Sequence, residues 1–123
     1  MQIGGEQKVL AIVERFYDAM SEDEPALARL HAVDADGRVN RETRDRFGLF
    51  FIGWLGGPQT YMERHGHPRL RMRHAHVPVT PAMRDAWVRA MKRAMDEERV
   101  TGEIRAFVDQ RLLEVANMLV NKP

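Results

Sequence analysis

No cysteine occurs among the 123 residues. That absence removes disulfide frameworks, thiolate nucleophiles, zinc–thiolate sites and iron–sulfur clusters at one stroke. A dominant charge is missing as well. Nineteen Lys and Arg stand against eighteen Asp and Glu, a formal net charge of +1, so no long-range field draws the chain to nucleic acid or to an anionic membrane. The longest apolar block, FGLFFIGWLGG, is broken by glycine and falls well short of a membrane span. The opening MQIGGEQKVL has no charged start followed by a long apolar run, so the expected location is the cytoplasm. There is no internal repeat and no low-complexity stretch. No segment alternates as a half-buried strand does. What these exclusions leave is one domain, 1–123, of a globular class, with 44% hydrophobic and 30% charged residues.

What is present is helical periodicity. Val9, Ile12, Val13, Phe16 and Met20 form one apolar face over Glu6 to Met20. SEDEPAL interrupts it, and a short helix from Pro25 to His31 follows, with proline in its first turn. AVDADGRVN reads as a loop. Asn40 is positioned to cap a helix carrying Phe47, Phe50, Phe51 and Trp54, which Gly56-Gly57-Pro58 ends. A short helix reaches about Arg64. Thr80-Pro81 pairs a cap residue with proline at the first helical position. The helix it opens bears Met83, Trp87, Ala90, Met91 and Ala94 on one side and runs to about Glu98. Thr101 caps a last helix whose buried face holds Ile104, Phe107, Val108, Leu112, Val115 and Leu119. The expectation is an all-α domain of packed helices.

Four of the five histidines crowd into HGHPRLRMRHAHVPVT, residues 65–80. As a strand this stretch would be a basic ribbon for phosphates, which the balanced charge argues against. As a helix opened by Pro68 it places Leu70 and His74 one turn apart on one face, with Arg69 and Arg73 at the border. The pairs His65-x-His67 and His74-x-His76 make a poor zinc site. Residues two apart diverge on a helix, and Glu63 is the nearest carboxylate. His65, His67 and His76 therefore read as loop or solvent-facing residues. His74 stands apart as the sole imidazole on an apolar face. Most such histidines are hydrogen-bonded core residues. An iron porphyrin, however, needs one axial imidazole, a flat apolar slot and cations at the rim for its propionates. Phe47, Phe50, Phe51, Leu70, Val77 and Met83 could supply the slot, and Arg73 a cation. Any helical core contains such residues, so this pattern alone does not select haem.

The block GWLGGPQTYMERHGHPRLRMRHAHVPVTPAMRDAWVRAM, Gly53 to Met91, resembles the truncated haemoglobins, and in particular their second group. VERFYDAM near the start and MLVN near the end extend the likeness more weakly. The resemblance implies a two-over-two helical sandwich around haem b (iron protoporphyrin IX), with a mostly loop-like segment from Tyr61 to Pro68 before the iron-binding histidine. By this likeness His74 is the metal ligand. Tyr17, Trp87 and His31 are the distal, ligand-facing side chains. Thr43 and Phe47 face the pocket from the helix above the haem, and Phe50 and Phe51 continue its wall. Tyr61 and Arg73 are propionate partners, with His65 a further candidate. Two departures stand out: His76 where the family carries proline or an apolar residue, and an acidic loop from Ala32 to Gly37.

The function so implied is reversible binding of dioxygen, carbon monoxide or nitric oxide, for oxygen storage, transport or sensing. An unidentified reductase is an expected partner, and the chain is a monomer or homodimer. One rival reading is a haem enzyme for nitric oxide dioxygenation or peroxide chemistry. Another is a non-haem helical interaction module whose aromatics only pack.

Overall fold

A computed structural model describes residues 5–28, 38–66 and 79–121. Cap chemistry fixes where the main helices begin. The Asn40 side chain accepts from the Thr43 amide at 2.8 Å and opens a helix over Arg41–Trp54. The Thr80 hydroxyl accepts from the Met83 amide at 3.2 Å and, with Pro81 at the first position, opens Pro81–Glu97. In chain order the described helices are α1 (Glu6–Asp23), α2 (Pro25–Ala28), α3 (Arg41–Trp54), α4 (Thr60–His65), α5 (Pro81–Glu97) and α6 (Gly102–Leu119). None of them is long and apolar enough to cross a membrane.

Packing follows the apolar faces. α1 lies across both α3 and α5, α6 packs on α5, and α4 on α3. The α1–α5 seam sets Val9, Ile12, Val13, Phe16 and Met20 against Ala86, Ala90, Met91, Ala94 and Met95, nearly all fully buried. Alanines at every fourth position leave little bulk on that stripe of α5, so α1 can approach it closely. On the other side of α1, Gly48 gives α3 a close approach: a Cβ there would meet Leu10 Cδ2 at 2.9 Å. Lys8 fastens the far end of the seam, its Nζ donating to the Glu98 carbonyl at 2.8 Å, where the last carbonyls of α5 lack intrahelical partners. After α6, Asn121 and Val79 exchange two hydrogen bonds, from the Asn121 amide to the Val79 carbonyl (2.9 Å) and from the Val79 amide to Asn121 Oδ1 (2.8 Å).

Four boundaries or faces differ from expectation. α1 runs three residues past Met20 to Asp23, ending only where the Glu24 amide bonds back to the Met20 carbonyl at 2.9 Å. Residues 61–65 are helical, not loop: Tyr61 turns inward from α4, and Gly66, at φ 73, closes that helix with its amide on the Met62 carbonyl. Thr101 precedes α6 as predicted, yet its side chain makes no cap bond, because Gly102 enters the helix at φ 77 and swings the first turn away from the hydroxyl. Phe107, expected on the buried face, is 59% exposed. The inward stripe of α6 is Ile104, Val108, Leu112 and Ala116, at spacing four, and Phe107 falls just beside it in a shallow groove with Trp54, Leu55 and Arg111. The predicted short helix from Pro25 is described as far as Ala28. Its continuation to His31 lies outside the described residues.

Candidate haem pocket

α3 and α6 face each other across a cavity of about 420 Å³, within the range of pockets that take small organic cofactors. α3 contributes Thr43, Phe47, Phe50, Phe51 and Trp54, and α6 contributes Leu112, Val115 and Leu119. Tyr17 of α1, Tyr61 of α4 and Trp87 of α5 complete the described walls. Asn40, Glu42 and Arg46 stand at one end. Thr43, Phe47, Phe50 and Trp54 share one face of α3 by the three-and-four spacing of a helix, so the sequence that buries this face also aims it at one space.

The aromatic rings hold one another in place. Tyr17 meets Phe47 edge-on at 5.9 Å between centroids, and Phe16 meets Trp87 edge-on at 5.5 Å from behind. Phe47 touches Phe51 at 5.7 Å, Phe50 touches Tyr61 at 5.7 Å, and Tyr61 stacks obliquely on His65 at 5.0 Å. Such pairs restrict each other's rotamers. Phe47, Tyr17 and Trp87 thus line the cavity while also packing in or against the core. Burial pushes the Tyr17 phenol above its ordinary range, with the nearby Arg44 guanidinium opposing. At neutral pH the phenol is thus a neutral O–H donor.

Of the residues expected at a haem, Tyr17, Thr43, Phe47, Phe50, Tyr61 and Trp87 come together on these walls, as does Phe51. Met83 is half-buried against the core near the start of α5 but does not line the cavity among the described residues. His65 is exposed at the end of α4, reaching the pocket only through Tyr61. His31, Leu70, Arg73, His74 and Val77, together with the departures at His76 and 32–37, lie outside the described residues. No group of three or more His, Asp or Glu capable of holding a metal occurs among the described residues.

Sequence reasoning overlooked the polar end and the α6 wall. Arg46, one turn after Glu42 and bonded to it at 3.0 Å, puts a cation at that end of the cavity. Arg44 was missed too, although Glu14 and Asp18, one turn apart on either side of Tyr17, signal a cation between them. Leu112, Val115 and Leu119 had been assigned only to packing. The donor set suits haem: a flat, ring-lined apolar slot takes a planar macrocycle, and Arg46 with Tyr61 can meet carboxylates at its edge.

Comparison with known proteins agrees with this geometry. The family model described as bacterial-like globin matches residues 1–121. Group 2 truncated hemoglobin YjbI of Bacillus subtilis (strain 168) is 38% identical over 118 residues, 96% of this chain and 85% of that protein. Among solved structures, the group II truncated hemoglobin from Bacillus anthracis superposes with a TM-score of 0.90 at 40% identity, covering 99% of this chain and 89% of that one. The truncated oxygen-avid haemoglobin from Bacillus subtilis gives 0.86 at 38% identity, covering 95% and 94%. A cavity held open between α3 and α6, beneath a Tyr17–Phe47–Trp87 wall, is what a gas-binding haem domain of two-over-two architecture requires, and this chain belongs to the bacterial-like globins, in their group II truncated haemoglobin branch.

Proposed function

We propose that the chain binds haem b through the His74 imidazole and holds dioxygen tightly and reversibly, acting in the cytoplasm in oxygen storage, transport or sensing. One observation carries this reading: two hydrogen-bond donors, the Tyr17 phenol and the Trp87 indole, line the same cavity as Phe47. The haem iron, when bound, supplies the open coordination position at which dioxygen, carbon monoxide or nitric oxide attaches. The rest falls to the side chains. Tyr17 keeps its proton because burial raises the phenol, so its O–H can donate to a bound ligand. Trp87 N–H has no acceptor function and can only donate. Phe47, edge-on to Tyr17, restrains its ring, and the apolar lining excludes water that would compete for these donors. His31 adds a third donor by family likeness. Tyr61 and Arg46, with Arg73 by family likeness, would meet the propionates.

Each neutral hydrogen bond is worth on the order of 1 kcal/mol, so two or three slow ligand release roughly ten- to a hundredfold. The relative described as oxygen-avid fits that direction. Slow release suits retention over rapid delivery, and an electron donor such as a reductase would keep the iron ferrous. The test is a visible spectrum of the haem-loaded protein and of two variants. His74→Ala abolishes the fifth ligand in the absence of added imidazole. Trp87→Phe speeds dioxygen release about fivefold while leaving haem bound. An intact fifth ligand in the first variant, or an unchanged off-rate in the second, overturns the assignment it probes.

A further inference from the structure

Behind the Tyr17 ring lies the one buried charge among the described residues. Arg44 of α3 is 5% exposed, and its guanidinium carbon sits 5.8 Å from the Tyr17 ring centre. Its Nε donates to the Val39 carbonyl at 2.8 Å, and its Nη1 donates to Glu14 Oε1 at 2.9 Å and Asp18 Oδ1 at 3.1 Å. Its Nη2 is buried with no hydrogen-bond partner. A cation in this setting is costly unless compensated, and the compensation is lopsided. Glu14 and Asp18 are each over a third exposed on their side chains, against 6% for Arg44. Each is also shared with an outer arginine, Glu14 with Arg41 and Asp18 with Arg38. Water and those arginines screen the carboxylates from outside. The guanidinium is screened least, and it lies on the interior side.

Register makes this more than a staple between helices. Glu14 and Asp18 bracket Tyr17 on α1, and Arg44 stands between Thr43 and Phe47, the two α3 residues of the cavity wall. One side chain therefore fixes the phenol relative to that wall and places a positive charge behind it. We propose that Arg44 is a positioning residue that clamps the Tyr17 ring and biases the cavity toward ligands carrying negative charge over neutral ones of similar size. This inference rests on the haem-pocket reading for its ligands, but its clamp does not.

The experiment uses the haem-loaded protein with Arg44→Met, Arg44→Lys and Asp18→Asn. Three measurements are made: azide binding to the ferric form, carbon monoxide binding to the ferrous form with its C–O stretching frequency, and fluorotyrosine resonances, of which two tyrosines give two. With Arg44→Met, azide affinity falls about tenfold, in line with removing a unit charge from a partly shielded interior. Carbon monoxide affinity stays within twofold, the C–O stretch rises, and the Tyr17 resonance shifts or broadens. Arg44→Lys restores azide affinity and the C–O stretch but not the Tyr17 resonance, because an ammonium cannot make the forked contacts. Asp18→Asn, which keeps Arg44 and removes a counter-charge, strengthens azide binding. If Arg44→Met fails to fold, the Lys and Asn variants carry the decision. Equal changes for azide and carbon monoxide, or none in any variant, overturn the charge bias, and an unmoved Tyr17 resonance overturns the clamp. A protein that takes up no haem sinks the pocket reading instead and leaves the resonance to judge the clamp alone.

Discussion

The two sides of the helical stack draw on the same kinds of side chain and end differently. On the α1–α5 seam, Phe16, Ile12 and Met20 pack against alanines and methionines and are all but fully buried. Between α3 and α6, Phe47, Phe50, Phe51 and Trp54 face Leu112, Val115 and Leu119 across about 420 Å³ of space. Hydrophobicity alone does not distinguish the two. What differs is the size pattern and the bracing. The seam pairs large with small, so its helices close. The cavity pairs large with large, and its rings are pinned edge-on by neighbours that stop them from collapsing inward. A pocket for a flat cofactor is here a seam that has been prevented from closing.

That contrast can be broken from either side. Ala90→Leu puts bulk onto the closed seam, where Ala90 is 1% exposed. It should cost about 1–3 kcal/mol in denaturant unfolding, the usual penalty for overpacking. Val115→Phe puts comparable bulk into the cavity. It should leave unfolding of the haem-free protein within about 1 kcal/mol yet sharply reduce haem uptake measured by absorbance. Equal losses of stability at the two sites would erase the distinction.

Charge flanks α1 on both sides, Glu98 toward α5 and Glu14 toward α3, and pH sharpens that point. The Arg15 hydrogen bond holds the Glu98 carboxyl below its ordinary value of 4.5 against the smaller opposing effect of burial. At Glu14 burial pulls upward, but the bonds from Arg41 and Arg44 outweigh it and leave that carboxyl low as well. Both groups are more acidic folded than unfolded. The stability they add is therefore complete above about pH 4.5 and is lost as pH falls through their lowered values. The melting temperature should hold steady from neutrality to about pH 5 and fall below that, and Glu14→Gln should flatten the fall. The smallest effect belongs to the α5–α6 turn, where Arg99 takes a left-handed backbone (φ 58) suited to glycine. Arg99→Gly should raise stability by up to about 1 kcal/mol, read as a rise of a few degrees in melting.

Local chemistry was legible in the sequence, and relations between distant segments were not. Asn40 and Thr80 announced α3 and α5 because a cap needs only its own next three residues. The apolar face of α1 could be read directly from spacing. Phe107 misled because the face of α6 that is covered depends on where α5 lies, which no window of six residues records. Residues 61–65 show the reverse. Periodicity gave a short helix there, the family likeness replaced it with loop, and the chain is helical. At the pocket, Phe47 and Phe50 were candidates from the apolar pattern, whereas Tyr17, Thr43, Tyr61 and Trp87 emerged through resemblance, since a tyrosine or tryptophan at helical intervals looks like ordinary core. Arg44 escaped both routes. A charged residue inside an amphipathic helix looks solvent-facing until two carboxylates from 30 and 26 positions earlier come into view.

The exchange between Asn121 and Val79 has a mechanical outcome. It ties together two points 42 positions apart, so α5 and α6 start and finish at a common knot, like a belt fastened by one buckle. Tension applied beyond Asn121 passes straight to the threshold of α5 instead of peeling α6 away turn by turn. Asn121→Ala would remove the bond to Oδ1 and leave the one between backbones, so it should slacken the Thr80 entrance and the end of α6 together without parting them.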